Sequence, residues 1–195
     1  MIESIFQTPL YLNIAKDQEL IDIQSEISNV IDNIKFDYVS RWGKTHKTSY
    51  APSSATDNVI EQYDLVNFKN FLQQNMYEYL DNLNYQGNRE YKMESWVSAF
   101  ELNDYGHIHD HGTADFSGVY YFQTNTSDGN LMFYNPAVQV NMSPCLNNSD
   151  LASWNHPPQV GKILIFPGYL RHGILRNVTT DTRISISFNA FFQKK

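Results

Sequence analysis

The sequence is poor in cysteine, with Cys145 as its single example among 195 residues. An intramolecular disulfide is therefore excluded, and so is a zinc site built from several cysteine thiolates. A metal ion bound by this chain would have to be held mainly by histidine and carboxylate side chains.

Two further features are missing, namely a long apolar run and an excess of basic residues. No segment reaches the about 18 consecutive apolar residues that span a bilayer, and the first six residues lack the character of a secretory signal. The formal net charge is -7, whereas nucleic acids and anionic membranes are bound by basic surfaces. We therefore expect a soluble, cytoplasmic protein that binds neither nucleic acid nor membrane.

Aromatic residues, in contrast, are abundant, with 13 tyrosines and 12 phenylalanines. Such side chains favour strands and pocket walls. The chain length fits one domain, residues 1–195. The sequence pattern changes near residue 90, which predicts helical cover over residues 1–90 and a β core over residues 91–195.

The N-terminal half predicts one edge strand, two helices and a long loop. Residues 5–14 contain Pro9, which interrupts ladder hydrogen bonds and is typical of an edge strand. Residues 39–58 show no period and predict a loop. In the helical segments, apolar residues recur at steps of three and four: Leu20, Ile23, Ile27 and Val30 after Asp17, and Leu65, Phe68, Leu72, Met76, Tyr79 and Leu83.

The C-terminal half consists of short apolar runs separated by turn residues. Strands at this spacing are typical of a sandwich or jelly roll rather than of βαβ units. The predicted strands are residues 96–102, 116–123, 131–134, 162–166, 173–176 and 183–192.

Three histidines alternate directly before one of these strands, at His107, His109 and His111. On an extended strand, residues i and i+2 point to the same face, so His109 and His111 would turn their rings to one side. That arrangement suits a single metal ion.

A distant histidine follows, as is typical of a facial iron site, and an arginine comes after it. Such a site uses two histidines and a carboxylate on one side of Fe(II) and leaves the other positions open. His172 follows the strand that ends at Phe166-Pro167. Further on, Arg183 and Ser185 share one face of the last strand, where a guanidinium and a hydroxyl can bind a carboxylate together.

These motifs resemble those of the 2-oxoglutarate/Fe(II)-dependent dioxygenases, and within them a group of small oxygenases. The matching pieces are the His-x-His-x5-Ser-Gly-Val-Tyr-Tyr pattern at 109–121, Phe-Pro-x4-His at 166–172, Arg-Ile-Ser-Ile-Ser-Phe-Asn at 183–189, and the opening Ile-Phe-Gln-Thr-Pro-Leu at 5–10. The resemblance implies a double-stranded β-helix, that is a cupin-like jelly roll, flanked by N-terminal helices. It also implies Fe(II) as cofactor and 2-oxoglutarate as cosubstrate.

One position departs from the family, because its carboxylate ligand would fall where this sequence has His111. Three interpretations are open. The metal ligands are His109, His111 and His172; or Asp110 or Asp115 supplies an oxygen ligand beside one histidine; or His107 and His109 bind the metal, with His111 outside them.

Under the first interpretation, His109, His111, His172 and Arg183 are the catalytic set, and Arg183, Ser185 and Tyr121 bind the cosubstrate. Tyr121 is chosen because it shares strand parity with Ser117 and Val119. The resemblance implies oxidative decarboxylation of 2-oxoglutarate coupled to hydroxylation of a small-molecule or peptidyl substrate. Two alternatives are a three-histidine, cupin-like enzyme that does not use 2-oxoglutarate, and a non-catalytic β-sandwich binding module.

Overall fold

The computed structural model describes residues 7–40, 43–50, 58–137, 142–144 and 152–193. Within them, eleven strands and three helices follow one another along the chain. Their order is β1 (Tyr11–Ile14), α1 (Asp17–Ile31), β2 (Asp37–Tyr38), β3 (Lys47–Thr48), α2 (Val59–Gln62), α3 (Val66–Asn82), β4 (Tyr91–Phe100), β5 (Gly106–His109), β6 (Phe116–Gln123), β7 (Leu131–Tyr134), β8 (Ser153–His156), β9 (Lys162–Pro167), β10 (His172–Ile174) and β11 (Arg183–Phe192).

The strands form two sheets, and every pairing between them is antiparallel. The large sheet has the order β1-β9-β6-β11-β4-β3-β2, and the small sheet has the order β5-β10-β7-β8. One buried apolar cluster contains residues of both sheets, including Val119 and Phe166 from the large one and Phe133 from the small one. The sheets therefore pack face to face, which is the predicted jelly-roll architecture.

Alternation along β6 decides which side chains enter the space between the sheets. Ser117, Val119 and Tyr121 are buried on this inner face. Tyr120 points the opposite way, and its ring centroid lies 4.8 Å from that of Phe68 in α3. The second face of the large sheet is thus covered by helices, so its central strands are buried on both sides.

The two long helices cover this outer face as their apolar periodicity predicts. Ile23 and Ile27 of α1 are fully buried in the cluster that joins the helices to the sheet. The helix α3 begins without a side-chain cap of its own. Instead, the Glu26 carboxylate of α1 accepts hydrogen bonds from the backbone N–H groups of Asn67 and Phe68, at 2.9 Å each. A carboxylate at this end also favours the helix dipole.

The predicted strands of the β core are confirmed, but three of them differ at their ends. The strand β4 begins five residues before the predicted start and ends two residues earlier, β9 ends one residue later, and β10 begins one residue earlier and ends two residues earlier. The N-terminal half contributes more than helical cover, because β1, β2 and β3 extend the large sheet. The predicted edge strand is shorter than expected, since β1 begins after Pro9. The segment 39–58 was expected to be a loop, yet it contains β3, whose two residues pair with β4.

Other parts of the predicted loops lie outside the described residues, namely residues 41–42 and 51–57, and most of 138–151, including Cys145. The strands β5 and β8 and the short helix α2 were not predicted. Among the described residues, no helix is both long and apolar enough to cross a membrane.

Candidate metal and cosubstrate site

His109, His111 and His172 converge at one end of the space between the sheets, and we call them the histidine cluster. Each offers a nitrogen atom, and these atoms all lie within 4.8 Å of one another. The Nε2 atoms of His111 and His172 are 3.3 Å apart. Strand pairing brings two of the residues together, because His172 at the start of β10 is the direct partner of His109 in β5.

His111 reaches the cluster by a different route from the predicted one. The strand β5 ends at His109, so His109 and His111 do not belong to one regular strand. The His111 N–H donates to the carbonyl oxygen of Gly168, at 2.9 Å. Gly168 is itself tightly packed, since a Cβ there would lie 2.1 Å from the Ala114 oxygen. A close contact between two turns therefore positions His111.

Hydrogen bonds fix the tautomers of the other two histidines. The Nδ1 of His109 lies 2.7 Å from the His107 carbonyl oxygen, and the Nδ1 of His172 lies 2.8 Å from the Leu170 carbonyl oxygen. A carbonyl oxygen only accepts, so each Nδ1 donates its proton and each Nε2 keeps a lone pair. This is the arrangement of a neutral imidazole that binds a metal through Nε2.

Burial keeps His111 and His172 in their neutral form. Desolvation, together with the neighbouring histidines, lowers the pKa of both His111 and His172 to about 3. Protons therefore compete weakly with a cation for these nitrogens at neutral pH.

The carboxylates and the third alternating histidine lie elsewhere. The Asp110 carboxylate accepts from the Gly112 N–H at 3.1 Å, and the Asp115 carboxylate accepts from the Phe192 N–H at 2.8 Å. His107 is exposed and packs against the ring of Tyr105. Within the described residues, the histidine cluster is the group with metal-binding spacing, and it contains no carboxylate.

A second polar group lies deeper between the sheets, and we call Arg183, Ser185 and Tyr121 the arginine pocket. Arg183 is fully buried, with 0% of its surface exposed. Its NH1 group donates to the Gly129 carbonyl oxygen at 2.8 Å, while its Nε and second terminal nitrogen have no hydrogen-bond partner among the described residues. Asp128 stabilises the Arg183 charge from a distance, but no described residue forms a direct ion pair with it. Buried donors without partners are unfavourable, so the two free nitrogens are suited to an anionic ligand.

The other two side chains of the pocket are unpartnered as well. The Tyr121 hydroxyl and the Ser185 hydroxyl are buried and make no hydrogen bond within the part of the chain that the structure describes. The guanidinium carbon of Arg183 lies 4.9 Å from the centre of the Tyr121 ring. Burial raises the pKa of Tyr121, so its hydroxyl is a donor at neutral pH. Together these groups offer several donors to one carboxylate.

Two aromatic neighbours of the site were not assigned a role from the sequence. The His46 ring stacks on Phe100 at 4.6 Å, and burial lowers the pKa of His46 to about 4. The Trp96 ring lies 5.9 Å from the His111 ring. No sequence signal marks His46, because it precedes a two-residue strand inside a segment without periodicity. Trp96 could have been found from its even spacing with Ser98 and Phe100 on β4.

Comparisons with known proteins address the family and the fold. Residues 94–189 match the family model described as "Putative 2OG-Fe(II) oxygenase". The matched range contains both the histidine cluster and the arginine pocket. None of the curated protein sequences matches the chain significantly.

Similar folds occur among solved structures of low sequence identity. A prolyl-4-hydroxylase from Pseudomonas putida has a TM-score of 0.64 at 12% identity, covering 95% of this chain and 94% of that one. HygX from Streptomyces hygroscopicus, solved with nickel and 2-oxoglutarate, has a TM-score of 0.62 at 11% identity, covering 94% and 83%. The viral collagen prolyl hydroxylase of Paramecium Bursaria Chlorella virus-1 has a TM-score of 0.56 at 11% identity, covering 95% and 96%. The likeness establishes the fold.

Proposed function

We propose that the histidine cluster holds the Fe(II) of a 2OG-Fe(II) oxygenase through three imidazole nitrogens, in the β core whose residues 94–189 match the model of that family. The spacing of these nitrogens and the neutral state of the His111 and His172 rings support this assignment. Three ligands on one side leave positions open for the cosubstrate and for oxygen.

The arginine pocket binds the far carboxylate of 2-oxoglutarate in this proposal. Its support is the observation that carries the function, namely a fully buried Arg183 with two unpartnered nitrogens. The hydroxyls of Tyr121 and Ser185 are unpartnered in the same place. In a three-histidine enzyme that does not use 2-oxoglutarate, this anion site would have to hold a carboxylate of the substrate instead.

The bound cofactor and cosubstrate have one role in the reaction, and the residues of the chain have another. Bound Fe(II), 2-oxoglutarate and oxygen supply the oxidative chemistry, in which decarboxylation to succinate and CO2 is coupled to hydroxylation of a substrate C–H bond. The chain's own residues orient the cosubstrate by its carboxylate and exclude water. The hydrogen bonds to the His107 and Leu170 carbonyls hold two of the imidazoles in place.

An anaerobic titration tests the function. We expect Fe(II) and 2-oxoglutarate together, and neither alone, to produce a visible charge-transfer band. The band should require much more 2-oxoglutarate in Arg183→Ala, because the buried anion loses its charged partner. Arg171→Ala is the matched control, since Arg171 is exposed. Iron binding that is indifferent to 2-oxoglutarate would overturn the proposal.

The remaining parts of the proposal concern the context of the enzyme. We infer a single domain, because one apolar cluster joins the helices to the large sheet. A cytoplasmic location is supported by the single cysteine, since small secreted domains are commonly stabilised by disulfides. The net charge of -7 supports a small-molecule or peptidyl substrate over nucleic acid.

A further inference from the structure

A hydrogen-bonded row of polar side chains crosses the inner face of the large sheet. Glu94, Asn189 and Ser117 are direct neighbours on β4, β11 and β6. The Ser117 hydroxyl donates to the Asn189 side-chain oxygen at 2.7 Å. This bond turns the amide nitrogen of Asn189 toward the Glu94 carboxylate, 3.4 Å away. We call these three residues the carboxylate row.

The carboxylate row and the arginine pocket lie at different levels of the same strand. Along the inner face of β11, Arg183 and Ser185 come first, then Ser187, then Asn189. Trp96 pairs with Ser187, and its ring is beside His111. The level of the histidine cluster therefore separates the carboxylate row from the arginine pocket.

The two levels also differ in exposure. Arg183 and Tyr121 are fully buried, whereas Glu94 is half-buried and His109 is exposed. A substrate that must reach the metal while the cosubstrate occupies the arginine pocket therefore approaches past the carboxylate row.

The chemistry of this entrance favours a cation. Among the described residues, no basic side chain forms an ion pair with Glu94. The Trp96 ring, next on the same face of β4, lies 5.1 Å from the Tyr50 ring. A carboxylate beside aromatic rings recognises a protonated amine through charge and cation–π attraction.

We propose that Glu94, oriented by Asn189 and Ser117 and flanked by Trp96, binds a protonated primary amine of the substrate. The substrate class is thus an amine-bearing aliphatic molecule, either free or as a lysine side chain in a peptide. This inference rests on the proposed function, since it concerns the same active site.

Two pairs of probes test the inference on the anaerobic enzyme loaded with Fe(II) and 2-oxoglutarate. The first pair is n-pentylamine and 1-pentanol; the second is Nα-acetyl-lysine amide and Nα-acetyl-norleucine amide. Binding is measured by calorimetry, and 2-oxoglutarate consumption is measured after oxygen is admitted. We expect at least one amine to bind about tenfold more tightly than its neutral partner, the ratio given by a charge-assisted hydrogen bond. Preference for the lysine compound alone would identify a peptidyl source.

The variant Glu94→Gln should remove the preference for the amine while the charge-transfer band is retained. Glu90→Gln is the matched control, because Glu90 is exposed and precedes the first residue of β4. If neither amine binds more tightly than its neutral partner in an enzyme that shows the charge-transfer band, this inference is wrong and the proposed function stands. If the band itself is missing, the proposed function fails first.

Discussion

The Nε2 atoms of His111 and His172 face each other at 3.3 Å, on rings that are stacked at an angle of 15°. His172 donates through Nδ1 to a carbonyl oxygen, so its Nε2 carries a lone pair. When the His111 Nε2 also carries a lone pair, these two nitrogens can bind one cation together. The position of His111 is thus central, because relatives of the family would be expected to have a carboxylate there.

The first prediction concerns this exchange of ligand type. In His111→Asp, Fe(II) affinity should be retained or increased, because a carboxylate adds negative charge beside the metal. In His111→Ala it should fall by more than about tenfold, since loss of even outer contacts of a metal site costs that much. Chelator competition measures both affinities. His107→Ala is the control and should change little; an equal loss in that variant would contradict the ligand assignment.

The second prediction separates binding from stability in the arginine pocket. Tyr121→Phe should weaken 2-oxoglutarate binding, yet leave the free energy of unfolding of the ligand-free protein unchanged or increased. The reason is that the Tyr121 hydroxyl is buried without a partner, and an unsatisfied buried group costs about 1–3 kcal/mol. Titration of 2-oxoglutarate and urea denaturation give the two quantities.

Tyr120→Phe is a matched control for this prediction on the opposite face of the same strand. The Tyr120 hydroxyl accepts a hydrogen bond from Gln24 at 3.2 Å. Its loss should destabilise the protein by about 0.5–1.5 kcal/mol without affecting 2-oxoglutarate. The same loss of stability in both variants would argue for a purely structural Tyr121.

The third prediction is a pH dependence of stability for the metal-free protein. The pKa of His172 is lowered to about 3 in the folded state, whereas an unfolded histidine has a pKa of about 6.5. The unfolded chain therefore binds more protons as the pH falls below about 6.5, and the free energy of unfolding decreases by up to about 1.4 kcal/mol per pH unit from this residue. Urea denaturation between pH 7.5 and 5 measures the slope. His172→Gln should reduce the slope, and an unchanged slope would contradict the assigned burial effect.

The fourth prediction concerns the turn that positions His111. In Gly168→Ala, the added Cβ would meet the Ala114 carbonyl oxygen, which costs about 1–3 kcal/mol of stability. Because the Gly168 carbonyl oxygen holds the His111 N–H, Fe(II) affinity should fall as well. Ile23→Val in α1 removes a buried methyl group at a cost of about 0.5–1.5 kcal/mol and should leave Fe(II) affinity unchanged. Equal affinities in the two variants would show that the turn does not position the ligand.

Elements with a regular pattern were predictable to the residue. Phe116–Gln123, Leu131–Tyr134 and Arg183–Phe192 have the predicted bounds, because apolar side chains mark the buried faces of these strands. Strand parity likewise predicted that Ser185 would share a face with Arg183, and that Tyr121 would share one with Ser117 and Val119. In each case the information is local, since alternate residues of a strand face opposite sides.

Short elements and turns were beyond such reasoning. The strand β3 has two residues and exists through pairing with β4, so the place of His46 beside Phe100 depends on a partner far along the chain. The turn after His109 likewise depends on a distant segment, because the His111 N–H donates to the Gly168 carbonyl oxygen and this bond directs His111.

The sequence by itself determined a β sandwich or jelly roll, the two helical covers, and the shared strand face of Arg183 and Ser185, all of which follow from periodicity; the family resemblance implied the jelly roll in particular. The tertiary structure alone decided which histidines converge. It also showed that Asp110 and Asp115 are hydrogen-bonded elsewhere and that no described residue forms a direct ion pair with Arg183. The physical reason is that convergence and burial are set by packing between distant segments, which no local pattern records.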